Sequence, residues 1–143
     1  MIEINKCKYE YIDAILEIER CAFKFPYRRQ TFWYFIATYN AGFLVAKDGE
    51  RIEGYVMFSY DHDKAMIISI AVDQKHRRKG IGSMLLKAAL QRLPQNVNGV
   101  ELQVSLKNEE AISFYSSHAF KKVSSLKKYY PDGSDVMVMA LAV

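Results

Sequence analysis

The chain has 143 residues, 50% hydrophobic and 25% charged, with a net charge of +4. That size and balance fit one globular domain over residues 1–143 rather than two, and exclude a low-complexity or fibrous chain. The positive balance favours an anionic partner, whether nucleic acid, an acidic peptide or a phosphorylated cofactor, without choosing among them.

The opening stretch MIEINKC has no basic start leading into an apolar core, and no run approaches the ~20 apolar residues that span a bilayer. A cytoplasmic, membrane-free protein is expected. Cys7 and Cys21 show no metal-type spacing and are expected to be reduced core thiols. His62, His76 and His118 lack an evident carboxylate partner or ligand spacing and read as surface or packing residues, so no metal site is expected.

In chain order, residues 2–7 alternate as a first strand. From Tyr9 to Cys21 a helical stripe gathers Ile12, Ile15, Leu16 and Glu19, with Ile18 and Ala22 on the same side. Pro26 breaks that helix, and RRQTFWYFIATY forms a second one before Gly42. The period then changes: GFLVAKDG and IEGYVMFSY read as two strands joined at Asp48-Gly49. KAMIISIAVD is a third strand, apolar at nearly every position, which predicts burial on both faces.

Gly80 to Leu93 is helical, with Ile81, Met84, Leu85, Ala88 and Ala89 on one stripe and Pro94 closing it. GVELQVSL is a strand, Asn108 caps a helix running to about Ser117, and two strands near 119–126 and 134–142 flank a turn at Pro131-Asp132-Gly133. The predicted order is β-α-α-β-β-β-α-β-α-β-β, a mixed α/β domain with one central sheet and helices on both faces.

The stretch KHRRKGIGS follows the central apolar strand and opens a helix. A helix start leaves backbone N–H groups without partners and carries partial positive charge. Glycines let an anion approach that backbone, and Arg77, Arg78 and Lys79 add full charges. A basic solvated turn would also explain the composition. The stretch is neither a P-loop nor the GxGxxG dinucleotide fingerprint.

Arg77-Arg78-Lys79-Gly80-Ile81-Gly82 resembles the R/Q-x-x-G-x-G/A signature of the GNAT acetyltransferase superfamily, and the element order is similar to the GNAT fold from end to end. LQVSLKNEEAISFYSSHAF resembles the L-x-V-x-x-x-N-x-x-A-I-x-x-Y-x-x-x-x-F stretch of the RimI-like and archaeal–eukaryotic protein N-terminal acetyltransferases. KKYYPDGSDVMVMAL is similar to their tyrosine-pair hairpin and closing strand, and Phe25-Pro26-Tyr27 to the loop joining their first two helices.

The resemblance implies acetyl-coenzyme A as donor and direct attack by a free amine of a protein or peptide N-terminus. It implies pairing of the pantetheine arm with backbone at Ile70, Ala71 and Val72, the Val72 N–H stabilising the developing oxyanion. It places the pyrophosphate on residues 78–83, from Arg78 to Ser83, beside Arg77, and gives Asn108 a polar contact to the coenzyme besides its capping role.

Tyr115 falls where the family keeps a general acid for the departing thiolate. Where relatives carry a glutamate or a histidine as base, this chain has Gln103, which cannot act as one. Strand alternation puts Glu101 on the same face, as a base acting directly or through a water, or as an exposed edge charge. Tyr129 and Tyr130, with Phe25, Pro26 and Tyr27, are implied to line the peptide entrance; as neighbours on a strand the two tyrosines would point to opposite faces, so at most one is fully core. Lys121, Lys122, Lys127 and Lys128 make a second basic patch, either a solvated face or an attractor of acidic peptides or a ribosome surface. An auxiliary subunit docking on the first helices is left open. The other readings are acetylation of a lysine or a small amine, and a basic nucleic-acid-binding module. Against the last, the aromatics are not spaced as a stacking platform.

Overall fold

A computed structural model describes residues 1–77 and 79–143; Arg78 lies outside the described residues. The strands are β1 (Ile2–Lys6), β2 (Ala41–Asp48), β3 (Arg51–Asp61), β4 (Lys64–Val72), β5 (Gly99–Ser105), β6 (Lys121–Leu126) and β7 (Val136–Ala142). The helices are α1 (Ile12–Ala22), α2 (Arg29–Ala37), α3 (Ile81–Gln91) and α4 (Glu109–Ser117), with short 3-10 turns at Tyr9–Tyr11 and Gln74–His76. The order of strands and α-helices is the predicted one. In the sheet the strands run β1-β2-β3-β4-β5-β7-β6, so the apolar strand before KHRRK is the middle one. The β4–β5 pair is parallel, and the β1–β2, β2–β3, β5–β7 and β6–β7 pairs are antiparallel.

Two compact units make up the chain, Met1–Ser59 with Ile68–Leu93 and Tyr60–Ile67 with Pro94–Val143. In the first unit, α1 buries the predicted stripe of Ile12, Ile15, Leu16, Ile18 and Glu19. Asp13 in its first turn and Arg20 in its last complement the helix dipole. The helix ends at Ala22, where Phe23 turns extended, four residues ahead of Pro26.

Phe32 of α2 meets Phe43 and Tyr55 with ring centroids 5.8 and 5.9 Å apart. Such pairs contribute about 0.5–1.5 kcal/mol each beyond the area they bury. Tyr55 is paired with Val45 in the β2–β3 register, and Phe43 with Met57, so these side chains share one sheet face, under α1 and α2. Gly54 points to the opposite face, where Leu85 of α3 lies. The expected helices on both faces are therefore present within this unit.

The second unit holds the β5–β7 ladder, from Gly99↔Ala142 to Ser105↔Val136, with β6 paired to β7 outside it. Asn108 Oδ1 accepts the Ala111 N–H at 3.1 Å, so the expected cap on α4 is made. The turn after β6 uses Gly133 at φ +80°, a conformation that favours glycine.

Several expectations are corrected. The strand with the long unbroken buried run is β3, from Ile52 to Phe58, whereas β4 alternates buried and half-buried residues after Lys64. On α3, Leu86 is buried and Met84 is exposed. Cys7 follows β1 rather than belonging to it, and its burial pushes the thiol up to about 12. Cys21 is exposed, so it is not a core thiol. Tyr129 and Tyr130 lie beyond β6 in the turn, not on a strand. No described helix is long and apolar enough to cross a membrane.

Gly54 lets β3 approach β4 and α3 closely. A Cβ there would lie 2.9 Å from the Ala71 carbonyl oxygen and 3.1 Å from Leu85 Cδ1. Gly54→Val is expected to cost about 2 kcal/mol through overpacking, lowering the thermal midpoint by ~6 °C. Gly49→Asn, at φ +62° with nothing near its Cβ, should change it by less than ~2 °C, because asparagine tolerates that conformation. Both are read by thermal denaturation.

Candidate functional site

The start of α3 has no side-chain cap. Gly80 stands at its N-cap with φ +79°. The first turn has no acidic residue, and the first intrahelical bond is from the Met84 N–H to the Gly80 carbonyl at 3.0 Å. The N–H groups of Ile81, Gly82 and Ser83 thus precede the helix's own ladder. Ile81 is buried, so only its backbone can meet a ligand. Arg77 and Lys79 are exposed, and Arg77 Nε donates to the Val72 carbonyl at 3.3 Å. Ile70 and Val72 are half-buried and Ala71 is buried, with its carbonyl against Gly54.

The loop that leads from β4 into α3 is held from below. The Asp73 N–H donates to the Glu53 carbonyl at 2.8 Å. The Glu53 side chain, only 2% exposed, accepts from Arg51 Nη2 at 2.8 Å and Nε at 3.0 Å, and its Oε1 lies 3.3 Å from His76 Nε2. His76 therefore has a carboxylate partner, contrary to expectation. So does His62, 2.8 Å from Asp61 but exposed, while His118 packs on the Phe114 ring at 4.8 Å.

A second buried carboxylate lies in the same unit. Glu19 is 1% exposed, and its Oε1 accepts from the Tyr55 hydroxyl and, at 3.0 Å, from Ser69 Oγ. Its Oε2 accepts the Tyr27 backbone N–H at 3.0 Å. One carboxylate on α1 thereby ties the Phe25-Pro26-Tyr27 loop to Ser69, the residue before Ile70. Phe25, Pro26 and Tyr27 are themselves exposed. Glu19 was visible in the sequence as an acid on an apolar stripe, and Glu53 as an acid inside an apolar strand. Neither signal named a partner.

In the second unit, Glu101 and Gln103 are both exposed, on one face of β5 as alternation required. Glu101 pairs with Met66 on β4 and Ala140 on β7, and Gln103 with Val138. β5 is thus an interior strand, and Glu101 is not an edge charge. Tyr115 is 8% exposed, packed against Phe114 and Phe120 with centroids 5.3 and 5.8 Å away. Burial pushes its phenol well above the ordinary tyrosine value, so the hydroxyl stays protonated and can donate. Among the described residues nothing takes up that hydroxyl.

Asn108 spends its Oδ1 on the cap, leaving its amide hydrogens for another acceptor. Tyr129 is exposed and Tyr130 half-buried, their rings edge-on at 5.1 Å. Burial, and then Tyr129 beside it, raises the Tyr130 phenol. Among the described residues there is no group of three or more histidine, cysteine or acidic side chains that could hold a metal ion.

Residues 12–120 match the profile of the acetyltransferase (GNAT) family. An uncharacterized N-acetyltransferase of Methanocaldococcus jannaschii is 37% identical over 139 residues, covering 95% of this chain and 88% of that protein. An N-alpha-acetyltransferase of Sulfurisphaera tokodaii is 32% identical over 151 residues, covering 96% of this chain and 90% of that protein. The crystal structure of Ard1 from Thermoplasma volcanium superposes with a TM-score of 0.93 at 28% identity, over 99% of this chain and 97% of that one.

Glu19→Ala removes a carboxylate whose two oxygens take three donors, and leaves a cavity. It is expected to cost about 3 kcal/mol and ~10 °C of thermal midpoint. Glu19→Gln keeps one acceptor oxygen and should lose about half as much, read by the same denaturation.

Proposed function

The chain belongs to the acetyltransferase (GNAT) family, and we propose that it transfers acetyl from acetyl-coenzyme A to the α-amino group of protein N-termini. The observation that carries this reading is full-length similarity to a protein named N-alpha-acetyltransferase, joined to the uncapped, glycine-flanked start of α3.

In this reading the N–H groups at Ile81, Gly82 and Ser83 bind the coenzyme pyrophosphate, with Arg77 and Lys79 supplying charge. Arg78, a further candidate, is outside the described residues. The last of the four β4–β5 pairs is Ile67↔Leu102, and Ile70, Ala71 and Val72 lie past it on β4, where their backbone binds the pantetheine amides. The Val72 N–H donates to the thioester oxygen as negative charge grows there. Asn108 donates its side-chain amide to the coenzyme.

The amine nitrogen bonds to the thioester carbon, the carbon–sulfur bond breaks, and Tyr115 gives its proton to the leaving sulfur. The nitrogen gives up its own proton to water or to Glu101. Phe25, Pro26, Tyr27, Tyr129 and Tyr130 receive the peptide. Gln103 takes no proton.

The weak base favours this substrate. An α-amino group of pKa ~7.7–8.0 is about one-tenth neutral at pH 7, whereas a lysine of pKa ~10.4 is neutral in less than ~1 in 1,000 molecules.

Coenzyme release with short peptides tests the assignment. Release is expected with free N-termini and not with blocked N-termini and an internal lysine; the reverse would refute it. Tyr115→Phe should lower kcat ~100-fold or more, with the thermal midpoint held within ~2 °C because no described partner of the hydroxyl is lost. The pH profile follows from the direction of the Tyr115 shift. A raised phenol pKa keeps the acid protonated through mildly alkaline pH, so kcat/KM should climb with the free amine and level off above about pH 8. A falling limb near pH 9 would contradict the assignment.

A further inference from the structure

We infer that Glu53 and His76 form a latch whose task is to hold the coenzyme's phosphate loop in its binding shape. His76 is a positioning residue for acetyl-coenzyme A and plays no part in the chemistry. The inference rests on the pyrophosphate reading of the α3 start. Glu53 lies within the buried run of β3, where a charge is tolerated only if it is paired. It grips the loop twice, through its carbonyl to the Asp73 N–H at 2.8 Å and through its carboxylate to His76 Nε2 at 3.3 Å.

These two contacts fix both ends of the Gln74–His76 turn. The turn is also braced internally, by the His76 N–H on the Asp73 carbonyl at 2.9 Å and the Lys75 N–H on Asp73 Oδ1 at 3.1 Å. Arg77, which follows it at once, binds back to the Val72 carbonyl. From the turn to Gly80 only three residues remain, so the angle at which the chain enters α3 depends on where His76 is held.

The imidazole is an expensive choice for packing alone. Its side chain is 12% exposed, and Nδ1 is buried without a hydrogen-bond partner among the described residues, Asp73 Oδ2 standing 3.9 Å away. An apolar side chain would fill the space without stranding a nitrogen. What it could not do is set a polar nitrogen 3.3 Å from the Glu53 carboxylate. Arg51 already neutralises that carboxylate, so His76 is not needed for charge balance; its 3.3 Å contact adds a tether between sheet and loop.

Steady-state kinetics with both substrates varied, together with thermal denaturation, test the latch. His76→Phe, and the smaller His76→Leu, are expected to raise KM for acetyl-coenzyme A about tenfold, which is ~1.4 kcal/mol. The peptide KM and kcat should stay within about twofold. His76→Gln, which returns a polar nitrogen able to contact Glu53, should recover most of the loss. Gly82→Asp, which puts an acid into the anion site, is the reference and should raise the same KM further.

An unchanged KM in both His76→Phe and His76→Leu, with Gly82→Asp impaired, overturns the latch alone. Equal rises for both substrates that track a lower thermal midpoint overturn it too, as does failure of His76→Gln to recover. If Gly82→Asp binds acetyl-coenzyme A normally, the phosphate reading falls and takes the latch with it.

Discussion

The Glu19 carboxylate is the constraint on which the first unit depends. A charge with 1% exposure must be matched by donors, because nothing else offsets its loss of water. Its donors come from three other segments: Tyr27 in the loop after α1, Tyr55 in β3 and Ser69 in β4. A helix that can bury its apolar stripe in many ways is thereby held to one rotation and one depth. The loop proposed to receive the peptide and the strand proposed to receive the pantetheine inherit their places from the same carboxylate. Tyr55 and Ser69 also approach each other at 3.1 Å, which closes the cluster against water.

The parts assigned to the donor substrate are mostly backbone. Gly80 at positive φ, the N–H groups beginning α3 and the β4 main chain would contribute geometry rather than reactive side chains. Gly54 serves the same end, admitting the Ala71 carbonyl and Leu85 where any side chain would push them away. This economy fits direct transfer to an amine that is partly neutral already. Such a reaction asks for orientation, one oxyanion donor and one proton for the leaving sulfur.

The element order, the α1 stripe, the Asn108 cap and the shared face of Glu101 and Gln103 were legible because each is set by spacing within a few residues. The misplaced features need partners far along the chain. Apolar composition made β4 the candidate for burial on both faces, yet it is β3, with an acid and a glycine in its run, that the neighbouring layers cover from Ile52 to Phe58. Met84 and Leu86 differ by two residues in an apolar helix, and only the packing surface picks between them. Glu53 and His76 are 23 positions apart, on elements whose adjacency no local pattern encodes. The tyrosine pair, expected on a strand, lies past Leu126, where the chain has already left β6.

The most direct test of the central claim is where the acetyl group goes. A single peptide carrying both a free α-amine and an internal lysine is incubated with the protein and acetyl-coenzyme A, and the product is sequenced by fragmentation mass spectrometry. The expected result is one acetyl group on the first residue and an unmodified lysine. Acetyl on the lysine with the first residue untouched would contradict the assignment of an N-terminal amine as substrate.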